Sequence, residues 1–229
     1  MKILIVAATW MEVNLLAEDM EKVEEKSHLL KTYRFEESII DILITGIGTI
    51  FTTFHLTNAL RDDKYDLVLN IGIAGSLTRE LKIGEVVNVV YEEFADLGVE
   101  TPTDFLTLFE SGYVGINEYP FENGILKATY PAHCEKMKKV RGITANKTHG
   151  KASSIETIYT KFSAHTESME GAAVFYVCNW MGVDCCQIRA ISNFVESHDP
   201  SNWDIPLALE NLKKAIRNML HSSSEVAVG

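Results

Sequence analysis

In the stretch Leu67-Val68-Leu69-Asn70-Ile71-Gly72-Ile73-Ala74-Gly75-Ser76, five of the first seven residues are apolar, Leu67, Leu69, Ile71 and Ile73 on one parity and Val68 on the other. Side chains of a strand alternate between faces, so a strand apolar on both parities needs cover on both faces. The run therefore predicts a strand sandwiched between helices, and its glycine-rich end suits either a close approach of backbone amides to a ligand or a purely structural turn. Nearly continuous apolar runs at Lys2–Ala8, Ile39–Thr45, Glu85–Tyr91 and Cys186–Ile191 predict further strands of the same sheet.

Helical patterns lie between and after these runs. Phe51–Leu60 follows the turn Gly46-Ile47-Gly48-Thr49. Gly171–Met181 is apolar on most sides and ends at Gly182, a residue suited to the left-handed position after a helix. The last helix opens at Asp204 with Pro206 in its first turn, and Ile205, Leu209, Leu212, Ile216 and Leu220 mark one face. Alternation of strands and helices predicts an α/β fold: a single domain over 1–229, with a mixed central β-sheet flanked by helices. From Phe94 to Ala152 the pattern is less regular. Gly98, Pro102, Gly112, Gly115, Pro120, Gly124, Pro131 and Gly142 predict long loops around the mouth of a site. The tail Ser222–Gly229 is expected to fray.

Composition narrows the partners. The 229 residues carry 21 Lys and Arg against 32 Asp and Glu, a formal charge of −11, which argues against a nucleic-acid groove or an anionic membrane surface. A small-molecule ligand is expected. The N-terminal apolar run is short and meets acidic Glu12 too soon for a signal peptide, and no stretch approaches the roughly 18 to 20 apolar residues of a membrane span. The expected location is the cytoplasm. Cys134, Cys178, Cys185 and Cys186 lack metal-ligand spacing and read as core thiols. The sequon at Asn146-Lys147-Thr148 is expected to be silent without secretion.

Each residue with chemical promise has an ordinary reading beside the functional one. Gly46-Ile47-Gly48 invites a dinucleotide site, but Phe51 stands where the third glycine belongs, and a tight turn against a helix explains it. Glu12 falls in the first turn after the first strand's carboxyl edge, where ligands gather and where a helix dipole also favours an acid. Glu170 opens the small-residue helix start Gly171-Ala172-Ala173, as a ligand-facing carboxylate or as a cap. Arg189 is a charge inside an apolar strand and needs a partner.

Glu167-Ser168-Met169-Glu170-Gly171-Ala172-Ala173, Arg189-Ala190-Ile191-Ser192-Asn193, Ala8–Leu16, the Gly46-Ile47-Gly48 turn and Asn70–Gly75 together resemble the nucleoside phosphorylase and nucleosidase superfamily. The first of these, with Ser192-Asn193-Phe194-Val195-Glu196, Trp203 and Phe94-Ala95-Asp96-Leu97-Gly98, resembles its futalosine hydrolase branch. The resemblance implies that Glu12 activates water, Glu170 binds ribose hydroxyls, Met169 packs on the sugar and Arg189 contacts the water site. It places Ile73 and Ser192 among the substrate-binding residues and implies a homodimer with the site near the interface.

One position departs from the related methylthioadenosine and S-adenosylhomocysteine nucleosidases: Asn193 stands in place of an Asp. A 6-oxopurine presents an acceptor where a 6-aminopurine presents a donor, and an amide can donate to it. The expected reaction is hydrolysis of the N-glycosidic bond of futalosine, releasing hypoxanthine and dehypoxanthine futalosine for menaquinone biosynthesis, with no metal or cofactor. The sugar's benzoate-bearing substituent is expected near 94–152, where charge nominates Lys147, His149 and Lys151, although solvated loop positions suit all three. Rival expectations are an adenine-releasing nucleosidase, a purine nucleoside phosphorylase and a non-catalytic nucleoside sensor.

Overall fold

A computed structural model describes residues 2–129, 137–196 and 202–226. Its strands are β1 (Lys2–Ala7), β2 (Glu21–Glu25), β3 (Leu30–Phe35), β4 (Ser38–Ile44), β5 (Leu67–Ser76), β6 (Val86–Phe94), β7 (Gly98–Glu100), β8 (Phe105–Thr107), β9 (Leu126–Lys127), β10 (Lys138–Thr144), β11 (Thr166–Ser168) and β12 (Cys185–Phe194). The helices are α1 (Trp10–Ala17), α2 (Thr49–Asp62), α3 (Ala152–Lys161), α4 (Gly171–Met181) and α5 (Ile205–Val226). Ten strands form one mixed sheet in the order β11-β10-β6-β12-β5-β1-β4-β3-β2, with β9 beside β6. β1, β4, β5 and β12 run parallel to their neighbours in that stretch, while β6 runs antiparallel to β12. β11 also pairs antiparallel with β5, so β5, β12, β6, β10 and β11 close into a ring.

The two-sided apolar runs are explained by this burial. Ile3, Ile5 and Ala7 of β1 pack with Val13 and Leu16 of α1 and Ala208, Leu212 and Ile216 of α5. The alternate residues Leu4 and Val6 pack on the opposite face with Leu56 of α2 and Ala172, Val174 and Phe175 of α4. Asp204 Oδ1 accepts the Leu207 amide at 3.1 Å, the bond expected of a helix-opening Asp.

Three expectations are corrected. The middle segment contains β10, a full member of the sheet, and Gly142 within it is a packing residue. A Cβ at Gly142 would lie 2.6 Å from Glu92 Oε1 and 2.8 Å from Val89 Cγ1, so close approach, rather than a turn, requires glycine there. The β2–β3 hairpin was not foreseen, because every residue of β2 is exposed and leaves no apolar pattern to read. The tail is helical through Val226. Residues 227–229, and Pro131 and Cys134, lie outside the described residues. Cys178, Cys185 and Cys186 are buried free thiols.

Candidate active site

At the carboxyl edge of β1, β5 and β12 lies a cavity of about 290 Å³, lined by Glu12, Ile73, Met169, Glu170, Ser192 and Asn193 together with Ile47, His149, Phe194 and Trp203. Six of the seven sequence-predicted site residues thus share one wall system. Arg189 does not line it. It lies beneath, 1% exposed, donating to Asn70 Oδ1 at 2.7 Å and standing 3.7 Å from Glu170 Oε2. The helix start of α1 holds Glu12, whose Oε2 accepts from the Ala8 and Thr9 amides at 3.0 and 3.1 Å. Its Oε1 accepts from the Ile73 amide of β5 at 3.1 Å. Amide bonds from two separate segments leave the carboxylate little freedom.

Burial raises the Glu12 pKa; the nearby Arg189 charge opposes this and Glu170 adds to it. Such a carboxylate is a stronger base than an exposed one. Gly72 makes the arrangement sterically possible, since a Cβ there would sit 2.3 Å from Arg189 Nη1 and 2.4 Å from Glu12 Oε1. Glu170 precedes α4 but makes no capping bond with its side chain. Instead its Oε1 accepts the Gly48 amide at 3.0 Å, across 122 residues of sequence. Gly48 has φ +100°, the left-handed region open to glycine, which aims that amide into the site. The glycine turn, one of the stretches that carry the resemblance, is therefore part of the site's frame through a bond to Glu170 that the sequence does not reveal.

Asn193 owes its direction to a bulge. Ile191 pairs with Ala74 and Asn193 with Gly75, so Ser192 is an extra residue in β12. Such an insertion re-aims the side chains around it. Asn193 Oδ1 accepts from Ser192 Oγ at 2.8 Å, and its Nδ2 donates to the Phe194 carbonyl at 3.0 Å. One N–H and one oxygen lone pair of the amide remain for a ligand.

His149 corrects another expectation. It is buried, its backbone amide donates to Glu167 Oε1 at 3.0 Å, and its Nδ1 bonds Glu167 Oε2. Lys147 lines an adjoining cavity of about 450 Å³ that also reaches His149, while Lys151 is exposed at the start of α3. Among the described residues no Lys or Arg lines the main cavity. Arg79 is occupied, bonding Glu196 at 2.6 Å and lying over the Phe194 ring.

A family model, the phosphorylase superfamily, matches residues 2–226. The chain belongs to the phosphorylase superfamily. Within that superfamily it is 30% identical over 183 residues to the futalosine hydrolase of Thermus thermophilus, covering 78% of this chain and 80% of the relative. It is likewise 30% identical over 181 residues to the futalosine hydrolase of Streptomyces coelicolor, covering 77% and 76%. The fold is that of solved superfamily members. A Helicobacter pylori MTAN mutant with 5′-methylthioadenosine in its active site superposes with TM-score 0.80 at 22% identity, over 96% of this chain and 98% of that one. This superfamily member is a nucleosidase, an N-glycosyl hydrolase. No helix among the described residues is long and apolar enough to cross a membrane.

Proposed function

We propose that the protein hydrolyses the N-glycosidic bond of futalosine in the cytoplasm, releasing hypoxanthine for the menaquinone route. The observation that carries this reading is the pairing of a buried, triply amide-anchored Glu12 with a bulge-directed Asn193 in a cavity that no described lysine or arginine lines. Glu12 removes a proton from water as it attacks the anomeric carbon, a contribution of about 10²- to 10⁴-fold for a well-placed base. Glu170 orients the ribose hydroxyls, Met169 and Ile73 pack on the sugar and Ser192 fixes the Asn193 amide. The remaining Asn193 N–H donates to O6, and its carbonyl oxygen accepts from a proton at N7. A site built around that pairing disfavours a 6-aminopurine by up to about 10⁴- to 10⁵-fold, because buried groups are left unpaired. Arg189 acts through Glu12 and Glu170, as a buried positive charge between two carboxylates.

Absence of lysine and arginine from the described cavity wall favours water over phosphate as nucleophile, since phosphate recognition draws on forked or point cations. The same reading includes a homodimer. Ile50 and Phe54 of α2 are 79% and 62% exposed, and Ile47, just before that helix, is exposed and lines the cavity. An apolar patch continuous with the site suits a partner subunit.

Chromatography for free base after incubation with futalosine, inosine and methylthioadenosine, with and without phosphate, tests the reading. Hypoxanthine release from futalosine without phosphate is expected. A strict phosphate requirement, or methylthioadenosine cleaved as fast as futalosine, would overturn it.

A further inference from the structure

The proposed reaction leaves two buried cavity residues without a part, and it leaves the departing base without a proton, because an Asn amide has none to give. His149 and Glu167 are 8% and 5% exposed, and both line the cavity. Both carboxylate oxygens of Glu167 are committed to His149, one to its backbone amide and one to Nδ1. That clamp fixes the ring, and its Nε2 bonds no described residue. Strand register sets the pair beside the base pocket. Glu167 of β11 and Asn193 of β12 face the same residue, Gly75 of β5, from opposite sides. Two interstrand spacings put their backbones roughly 10 Å apart, near enough for side chains from both to meet at one edge of a bound base.

We propose that His149, held by Glu167, is the general acid that protonates the departing purine. The inference rests on the reading that a 6-oxopurine is the leaving group. As the bond from C1′ to N9 breaks, its electron pair passes into the purine ring, and the Nε2 proton moves to N7 directly or through one water. The water oxygen forms the new bond to C1′ and its proton goes to Glu12. The imidazolium and the Glu12 carboxylate both end neutral, and exchange with solvent restores them. The N7–H so formed is the donor that the Asn193 carbonyl accepts. Other titratable groups border the same space: Glu12, Glu170 and Glu196 in this cavity, and Asp96, Asp104 and Lys147 in the adjoining one. None of them bonds the imidazole.

Nucleosides methylated at N7 give the decisive comparison, because a base that already carries positive charge departs without a proton. Rates for His149→Gln and Glu167→Gln are measured on futalosine and inosine and on their 7-methyl forms. A loss of about 10²-fold or more is expected on the unmethylated substrates, the usual worth of a general acid, with retention within about threefold on the methylated ones. Retained cleavage of the methylated forms also shows that the variant is folded. An unchanged ratio between methylated and unmethylated substrates in both variants overturns the assignment. If the unmodified protein releases hypoxanthine from none of these nucleosides, the proposed function fails and this step falls with it.

Discussion

Glu12 and Asn193 bear on different halves of the proposed reaction, and each predicts its own signature. Glu12→Gln preserves size and accepts fewer of the surrounding amide bonds, but it cannot take a proton. Its expected effect is a loss of about 10²-fold or more in kcat, with calorimetric substrate affinity held within about tenfold. Burial raises the Glu12 pKa, and the base must be ionised to work. The acid limb of kcat/KM is therefore expected above the ordinary carboxylate range, with activity lost as pH falls through it. Asn193→Asp replaces the amide donor with acceptors. Preference should move toward 6-aminopurine nucleosides by about 10- to 100-fold, the equivalent of about 1 to 3 kcal/mol for an unpaired buried group. Paired kcat/KM measurements on inosine and adenosine analogues read this directly, and an unchanged ratio would remove Asn193 from base selection.

At the level of elements, the start of α4 is tied into the sheet by a buried acid. Glu92 of β6 accepts from Gln187 of β12 at 2.7 Å and from Thr144 of β10 at 2.9 Å. The Thr144 hydroxyl in turn accepts the Ala172 amide at 2.8 Å, so this chain of bonds anchors the helix that Glu170 precedes. Gly171 permits the approach, since a Cβ there would lie 2.2 Å from both Glu92 Oε1 and Gln187 Oε1. Burial raises the Glu92 pKa to about 7 from 4.5, despite hydrogen bonds from Gln187 and Thr144. The folded state thus holds a proton that the unfolded chain releases. Stability is greatest below the unfolded value and declines as pH rises toward about 7, by on the order of 3 kcal/mol from this group. The unfolding temperature should fall between about pH 4.5 and pH 7, and Glu92→Gln should flatten much of that slope. A wild-type profile flat across this window would show Glu92 to be ionised when buried.

At the scale of the whole molecule, the proposed homodimer concerns the apolar surface of α2. Phe54→Asp places a charge in the exposed patch without disturbing the core, because Phe54 is 62% exposed while Leu56 of the same helix faces inward at 0%. The expected outcome is a shift from dimer to monomer by sedimentation, with lower activity because Ile47 carries the patch into the cavity. A chain that sediments as a monomer before substitution would discard the dimer.

Local chemistry made much of this protein legible in one dimension. Apolar runs on both strand parities required a sheet covered on two faces, and β1, β4, β5, β6 and β12 obey that demand because each residue's face follows from its position alone. Glu12, Glu170 and Asn193 stood out for the same reason: polar groups at the ends of apolar elements. The β10 strand was hidden because its glycine serves a neighbour's bulk, and β2 because both its faces meet solvent. Only the tertiary structure joined Gly48 to Glu170 and His149 to Glu167, and only it revealed the bulge at Ser192 that turns Asn193 into the cavity. Those relations depend on register between strands and on contacts across as many as 122 residues, and no local pattern encodes either.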